Sequence, residues 1–186
     1  MSILLGLSPF LMFFALMRLV TPIAGLIGAL TVSSLLCLRM WWRGESVKIL
    51  EVGSLILFGL LTAYTLLAAP LWTVATVRLA VDGGLLAIAL VSLAIGRPFT
   101  LQYARERVPE AYWGLPIFLA TNRIITGVWA ATFAIHVGAD GAAEYVPAIP
   151  IWLDVAVSIA AFVSAVWFSR RYPAAVQRRA LANAGR

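Results

Sequence analysis

Six long apolar runs occupy most of the 186-residue sequence, and their length is the feature that most limits how the chain can fold. A helix needs about 20 apolar residues to cross a bilayer. Hydrophobic residues make up 62% of the chain and charged residues 12%, whereas soluble domains average roughly 45–50% and 25%. The sequence therefore predicts an all-α integral membrane bundle of about six transmembrane helices, over residues 3–20, 22–41, 48–68, 71–96, 113–137 and 151–168.

The runs are expected to pair into three antiparallel hairpins that turn at prolines on the outer face, namely Pro22, Pro70 and the Pro147/Pro150 pair. Proline disfavours helix in the residue before it and can begin a new helix itself. The first run lacks a basic leader and a small-residue cleavage site, so we expect it to be a retained helix. Small residues that would let helices pack closely are Gly25, Gly28, Ala29, Gly83 and Gly84.

The distribution of arginine and lysine predicts the orientation of these helices. The turns after the second and fourth runs and the segment after the sixth are basic, whereas the turns after the third and fifth contain no basic residue. Arg18, at the outer end of the first run, is the exception. Because cytoplasmic connections are enriched in basic residues, we expect both termini on the cytoplasmic side of a bacterial inner membrane. Residues 1–169 would form the transmembrane domain, with an interfacial segment over 97–112, and residues 170–186 a basic cytoplasmic tail.

The net charge of +6 would raise the question of nucleic acid in a soluble protein. Here most basic residues lie near the ends of apolar runs or in the tail, where they set orientation and contact anionic headgroups. We therefore expect membrane lipids, and a membrane-protein partner or a second copy of the chain, as partners, and no nucleic acid. The tail residues predicted to contact lipid are Arg170, Arg171, Arg178 and Arg179.

Ionisable groups deep inside apolar runs are the residues most indicative of function, because a charge at the bilayer centre costs about 2.5–3.5 kcal/mol. Asp82 and Arg123 each lie ten residues from a tryptophan at the end of their run, roughly 15 Å deep. Arg78 lies one turn from Asp82, and Asn122 adjoins Arg123. The four residues are predicted to form a midplane polar cluster between the fourth and fifth helices. It would be a substrate or proton path, or a structural salt bridge between two helices.

The polar segment between the fourth and fifth runs is too polar to cross a membrane. Its aromatic side chains would enter the headgroup layer while its arginines meet lipid phosphates. Docking of a partner is the alternative. The residues predicted to make these contacts are Arg97, Phe99, Tyr103, Arg105, Arg107 and Trp113.

Catalytic signatures are scarce, so we do not expect an enzyme, a metal or a cofactor. The sequence contains no HExxH, GxSxG or phosphate-cradling glycine loop. His136 is expected to be an interfacial histidine rather than a ligand, and the lone Cys37 cannot form an intrachain disulfide. Lys48 and Glu51, near the start of the third run, are expected to snorkel to the interface. Asp154 is expected near the outer surface.

The stretch GRPFTLQYARERVPEAYWGLPIFLATNRIITGVWAATF, residues 96–133, resembles a signature of bacterial membrane proteins related to the intracellular septation protein A family. LSPFLMFFAL, residues 7–16, resembles the opening of that family. The resemblance implies a multi-spanning inner-membrane protein linked to cell-envelope maintenance or septation, acting through protein contacts. The matching residues are Arg97, Pro98, Tyr103, Arg105, Trp113, Pro116, Asn122, Arg123 and Trp129.

Three functions are compatible with these patterns. The leading interpretation is a non-enzymatic membrane scaffold or accessory protein, because the polar surface is small, cytoplasmic and basic. A small transporter or channel that uses the midplane Asp/Arg cluster is the alternative, and it predicts a water-filled cavity that reaches Asp82. A lipid-modifying enzyme is third, since no nucleophile and base can be assembled from the sequence.

Overall fold

The computed structural model describes residues 3–68, 73–146, 148 and 150–184, and this part of the chain is helical and contains no strand. The helices are α1 (Ile3–Gly6), α2 (Ser8–Leu19), α3 (Pro22–Trp42), α4 (Ile49–Ala68), α5 (Val74–Ala94), α6 (Phe99–Arg105), α7 (Pro116–Tyr145) and α8 (Ile151–Ala184), with a 3-10 turn over Glu110–Tyr112. The chain divides into two compact units, Met1–Ile88 and Ala89–Arg186. The predicted turn prolines Pro70 and Pro147 lie outside the described residues.

Five helices in the described part of the chain are long and apolar enough to cross a membrane: α3, α4, α5, α7 and the Trp152–Arg178 stretch of α8. The first apolar run differs from its prediction, because it is divided into α1 and α2 at Leu7. At about 1.5 Å per residue, the 12 residues of α2 extend roughly 18 Å, less than the bilayer core of about 30 Å.

Pro9 explains the division of the first run. A proline has no backbone N–H and so cannot donate to the carbonyl four residues earlier, which for Pro9 is that of Leu5. The Ser8 hydroxyl donates to the Leu5 carbonyl instead, over 2.7 Å. The chain can therefore begin a new helix at Ser8 without leaving that carbonyl unbonded.

Within the first unit, α2 packs closely against α3, and aromatic rings fill the space between α2 and α4. The Phe58 ring lies 5.0 Å from the Phe10 ring and 5.9 Å from the Phe13 ring, measured between centroids. A Cβ at Gly25 would lie 2.9 Å from the Phe13 carbonyl oxygen, so α2 and α3 approach at that glycine. Gly84 on α5 similarly accommodates the Leu57 side chain of α4.

The two basic turns after the second and fourth runs end their helices in the same way. Gly44 and Gly96 adopt the left-handed conformation, with φ of 64° and 70°, which glycine reaches without a steric penalty. In each turn the next backbone N–H bonds back to the end of the helix: Glu45 to the Met40 carbonyl over 3.0 Å, and Arg97 to the Ser92 carbonyl over 2.9 Å. This Schellman-type geometry satisfies carbonyls that the helix leaves open.

In the second unit, α6 packs on α7, and α7 forms an antiparallel hairpin with α8. Trp129 of α7 is fully buried and donates from Nε1 to the Ser169 hydroxyl of α8 over 3.0 Å. The Phe162 ring of α8 meets the Trp129 ring edge-on at 5.5 Å. This tryptophan therefore joins the two long helices through both packing and a hydrogen bond.

Helices α7 and α8 continue well past the ends of their apolar runs. Residues 138–150 lie between two predicted runs, but α7 extends to Tyr145 through the alanine-containing segment GADGAAEY. The expected tail is helical as far as the structure describes it, because α8 continues to Ala184 with Pro173 inside it. Hydropathy marks where a helix stops being apolar, whereas alanine keeps the backbone helical beyond that point.

Candidate functional site

The predicted midplane residues occupy different environments. Arg78 and Asp82 lie one turn apart on α5, and both are buried, with Asp82 1% exposed. Asp82 is near the middle of that helix. Asn122 is buried in the second unit, whereas Arg123 is exposed. The four residues therefore do not share one degree of burial, and contact between Asp82 and Arg123 stays a prediction.

Helix α7 begins later than the fifth apolar run. The helix starts at Pro116 rather than near Trp113, so Arg123 is about two turns, or roughly 10 Å, from its first residue. Side chains on a helix lean toward its N-terminus, and a long arginine can extend its guanidinium to the interface. Arg123 therefore lies closer to the start of its helix than the roughly 15 Å expected from Trp113.

Asn122 belongs to a hydrogen-bonded network that joins α6 to α7. The Thr100 hydroxyl of α6 lies 2.8 Å from the Thr126 hydroxyl and donates to the backbone carbonyl of Asn122 over 3.0 Å. The Asn122 amide donates to the Phe118 carbonyl over 2.8 Å. Neither threonine was predicted from the sequence, although Thr126 lies one turn beyond Asn122 and so on the same face of α7.

The aromatic side chains of α6 are buried inside the protein. Phe99 is 0% exposed and Tyr103 is 5% exposed, so the expectation that these aromatic rings enter the headgroup layer is wrong. Ser92 helps to hold the segment, because its hydroxyl accepts from the Phe99 N–H over 3.2 Å and donates to the Ala89 carbonyl over 2.7 Å. Apolar side chains on one face of α6 thus pack into the protein.

The arginines of this segment remain exposed. Arg97, Arg105 and Arg107 are all accessible on the surface, and Trp113 is partly buried. The Arg105 guanidinium lies 5.3 Å from the Trp113 ring centroid, a cation–π arrangement. The Trp113 Nε1 donates to the Val108 carbonyl over 2.8 Å. The indole is thereby held in place as a platform for Arg105.

Two of these arginines line a groove of about 390 Å³ within the second unit. It lies where the turn after α5, α6 and the first residues of α7 come together. Its chemistry is mixed, with guanidinium groups, an amide and an apolar wall. The lining residues are Gly96, Arg97, Pro98, Leu101, Gln102, Arg105 and Leu119.

The predicted lipid-contacting arginines of the tail lie along α8. Arg170, Arg171 and Arg178 are exposed. The Arg171 guanidinium lies 5.3 Å from the Trp167 ring centroid. Arg179 is in the same helix, and its side chain lies outside the described part of the structure. The positive charges are therefore carried on a helix rather than on an irregular tail.

Lys48 and Glu51 are buried in the first unit instead of snorkelling. Lys48 is 1% exposed and Glu51 is 0% exposed. The two residues are three positions apart at the start of α4, and Glu51 interacts electrostatically with Cys37 of α3. The sequence indicated their proximity to each other, but burial depended on how α3 packs against α4.

The α7–α8 hairpin also buries three titratable groups, His136, Asp140 and Asp154. His136 Nε2 lies 3.1 Å from the Ser158 carbonyl oxygen of α8. Asp140 lies one turn after His136 on α7, and Asp154 lies one turn before Ser158 on α8. Both aspartates are buried. Asp140 lies beyond the predicted fifth run and is buried because α7 continues beside α8, whereas Asp154 lies in the first turn of α8. Across the described residues, no group of three His, Cys, Asp or Glu side chains is placed to hold a metal ion.

Comparison with known proteins adds no family to this description. The chain matches no family model, no curated protein and no solved structure. The resemblance of residues 96–133 to the septation protein A family therefore stays a prediction, and the argument for function depends on the residues themselves.

Proposed function

We propose that the chain is a non-enzymatic scaffold or accessory protein of the bacterial inner membrane that binds a membrane-protein partner. The binding surface is the charged outer side of the segment between α5 and α7, which we call the docking segment (residues 97–113). Cell-envelope maintenance or septation is the process that the family resemblance suggests. The observation that supports this proposal best is that the docking segment is anchored on one side and charged on the other.

The anchoring contacts are internal to the second unit. Phe99 and Tyr103 are buried, and the Thr100 hydroxyl bonds to α7. On the outer side Glu106, Arg107 and Glu110 are exposed. A surface that is already ordered loses little conformational entropy when a partner binds, and alternating charges select a partner of complementary charge. These properties suit a docking surface.

The proposal includes six spans with both termini in the cytoplasm. Five spans alone would place the two ends of the chain on opposite sides. The residues of α1 and α2 together, 3–19, would extend roughly 25 Å as one helix, close to the bilayer core of about 30 Å. Both basic turns, at Gly44 and Gly96, then lie on the cytoplasmic side, as the positive-inside rule requires.

Reporter fusions test this topology directly. A green fluorescent protein fused to the N-terminus fluoresces only if that terminus stays in the cytoplasm. Alkaline phosphatase fused after Gly44, after Gly96 or at the C-terminus should be inactive. An N-terminal fusion that is exported while the other three sites remain cytoplasmic would leave five spans and refute the sixth.

Co-purification tests the docking segment. The protein is extracted from native membranes in a mild detergent, and the proteins that accompany it are identified by mass spectrometry. We expect a stoichiometric membrane protein that is lost with Arg107→Glu and retained with Arg43→Glu, which makes the same charge change at the other basic turn. A chain that purifies alone, or only with copies of itself, would contradict the scaffold proposal.

A small transporter or channel is the second candidate, and the burial of Arg78 and Asp82 on α5 favours it. Charged groups inside a span commonly mark a substrate or ion path. In a Cys37→Ser background, a cysteine placed at Asp82 should react with a water-soluble maleimide if water reaches it. Val81, which is also fully buried on α5, provides the control position. Equal protection of both cysteines would contradict a water-filled path.

A further inference from the structure

We propose that the groove lined by Arg97, Gln102 and Arg105 is a discrete binding site for a phosphate ester, which we call the phosphate groove. Anionic phospholipid headgroups and soluble phosphorylated molecules share this chemistry. The site does not depend on the docking proposal, because Arg107, the residue tested there, does not line it.

Two guanidinium groups are the first argument for a phosphate. Arg97 and Arg105 line the same groove, and guanidinium offers paired N–H donors that match two oxygens of one phosphate. The Arg105 guanidinium carbon lies 5.3 Å from the Trp113 ring centroid. A cation–π contact of this kind uses the positive charge and none of the N–H donors.

The backbone positions both arginines before any ligand binds. Arg97 follows the left-handed Gly96, and its N–H bonds to the Ser92 carbonyl over 2.9 Å. Arg105 ends α6, which is held to α7 through Thr100. Preorganised donors bind more tightly than flexible ones, because less freedom is lost on binding.

The volume and the apolar wall favour a lipid over the free ion. The groove has a volume of about 390 Å³, within the roughly 300–1,000 Å³ of known ligand pockets and large enough for a headgroup. Pro98, Leu101 and Leu119 form its apolar side. The groove lies between the end of α5 and the start of α7. The ends of spanning helices are at the depth of lipid headgroups.

The full-length protein in mild detergent allows the site to be measured by native mass spectrometry and by thermal stabilisation. The probes are phosphatidylglycerol, phosphatidylcholine and inorganic phosphate. We expect the unsubstituted protein to retain phosphatidylglycerol more strongly than phosphatidylcholine. Arg97→Gln and Arg105→Gln should each weaken its binding about tenfold or more, since a hydrogen bond to a charged group contributes that much.

Arg43→Gln is the matched control, since Arg43 is exposed at the other basic turn and lies outside the groove. It should change binding by about fivefold at most, the effect of an exposed charge. Arg105→Lys keeps the charge but not the paired donors, and it should fall between the original protein and Arg105→Gln. Displacement of the lipid by inorganic phosphate would support the groove and indicate a soluble phosphate as its source.

Three results would overturn the proposal. Arg43→Gln could weaken binding as much as Arg105→Gln, which would mean diffuse attraction by the basic surface. Arg97→Gln could leave binding of both phosphatidylglycerol and inorganic phosphate unchanged; because Arg97 is exposed, this variant is expected to fold even if Arg105→Gln does not. Phosphatidylcholine could bind as strongly as phosphatidylglycerol, and neither Arg97→Gln nor Arg105→Gln could weaken the binding of either lipid.

Discussion

The close contact between α2 and α3 at Gly25 predicts that a methyl group added at this position destabilises the protein. The same methyl group added at Gly83 of α5 should stabilise it. A Cβ at Gly25 would lie 2.9 Å from the Phe13 carbonyl oxygen and 3.1 Å from Met17 Cβ. Non-bonded carbon atoms prefer about 3.5–4.0 Å. A backbone carbonyl cannot rotate away as a side chain can, so α2 must move by several tenths of an ångström.

The magnitude follows from two opposing effects. Overpacking of this kind typically costs about 1–3 kcal/mol, while alanine in place of glycine favours the helix by about 1 kcal/mol. Gly25→Ala should therefore lower the free energy of unfolding by about 0–2 kcal/mol. At Gly83 a Cβ meets no described atom within 4 Å, so Gly83→Ala should raise the free energy of unfolding by up to about 1 kcal/mol.

Unfolding of the full-length protein in mixed detergent micelles measures both variants on one scale. The expected result is a difference of about 1–3 kcal/mol, with Gly83→Ala the more stable. If the two substitutions changed the free energy of unfolding by the same amount and in the same direction, the close approach of α2 and α3 would be refuted. If the Gly25→Ala variant were as stable as the original protein, the overpacking cost would be at its lower limit of about 1 kcal/mol.

Three further predictions concern polar groups that the helices bury. Lys48→Met and Glu51→Leu should each destabilise the first unit by about 3–5 kcal/mol by leaving one buried charge, and the double substitution should recover most of that loss in the same unfolding assay. Thr126→Val should cost about 0.5–1.5 kcal/mol and, by removing one of the hydrogen bonds between Thr100 of α6 and α7, increase amide hydrogen exchange in α6, with exchange in α8 as the control. Trp129→Phe combined with Ser169→Ala should show a coupling of about 0.6 kcal/mol in a double-mutant cycle; additive single effects would mean that the indole N–H bond contributes nothing.

The bounds of the middle helices were accessible to prediction from local signals. The second run was expected to begin at Pro22, and α3 begins there, because proline suits the first position of a helix. The Thr21 hydroxyl also accepts from the Ala24 N–H over 3.2 Å, a typical N-cap. The ends of α3 and α5 lie at the glycine turns that interrupt the hydropathy. Each of these signals is contained within a few residues of the sequence.

The ends of the long helices were not accessible in this way. Hydropathy placed the end of the fifth run at residue 137, but α7 continues to Tyr145. The extra turns contain the buried Asp140. A charged residue lowers the local hydropathy, so a hydropathy profile indicates that the apolar run has ended before it. Its burial depends on α8 lying alongside, which is a contact between residues distant in sequence.

The sequence by itself determined that this chain forms apolar helices of membrane-spanning length, because the cost of placing a segment in lipid depends on its own composition and length. The tertiary structure alone decided which polar side chains are buried. Asn122 and Arg123 are neighbours in one helix, yet Asn122 is buried with its side-chain oxygen 3.4 Å from the Thr100 hydroxyl of α6, while Arg123 is exposed. Successive residues differ by about 100° around a helix axis. The rotation of α7 about its axis, relative to α6, therefore decides that Asn122 is buried and Arg123 is exposed. That rotation depends on tertiary packing and is not encoded in any short stretch of sequence.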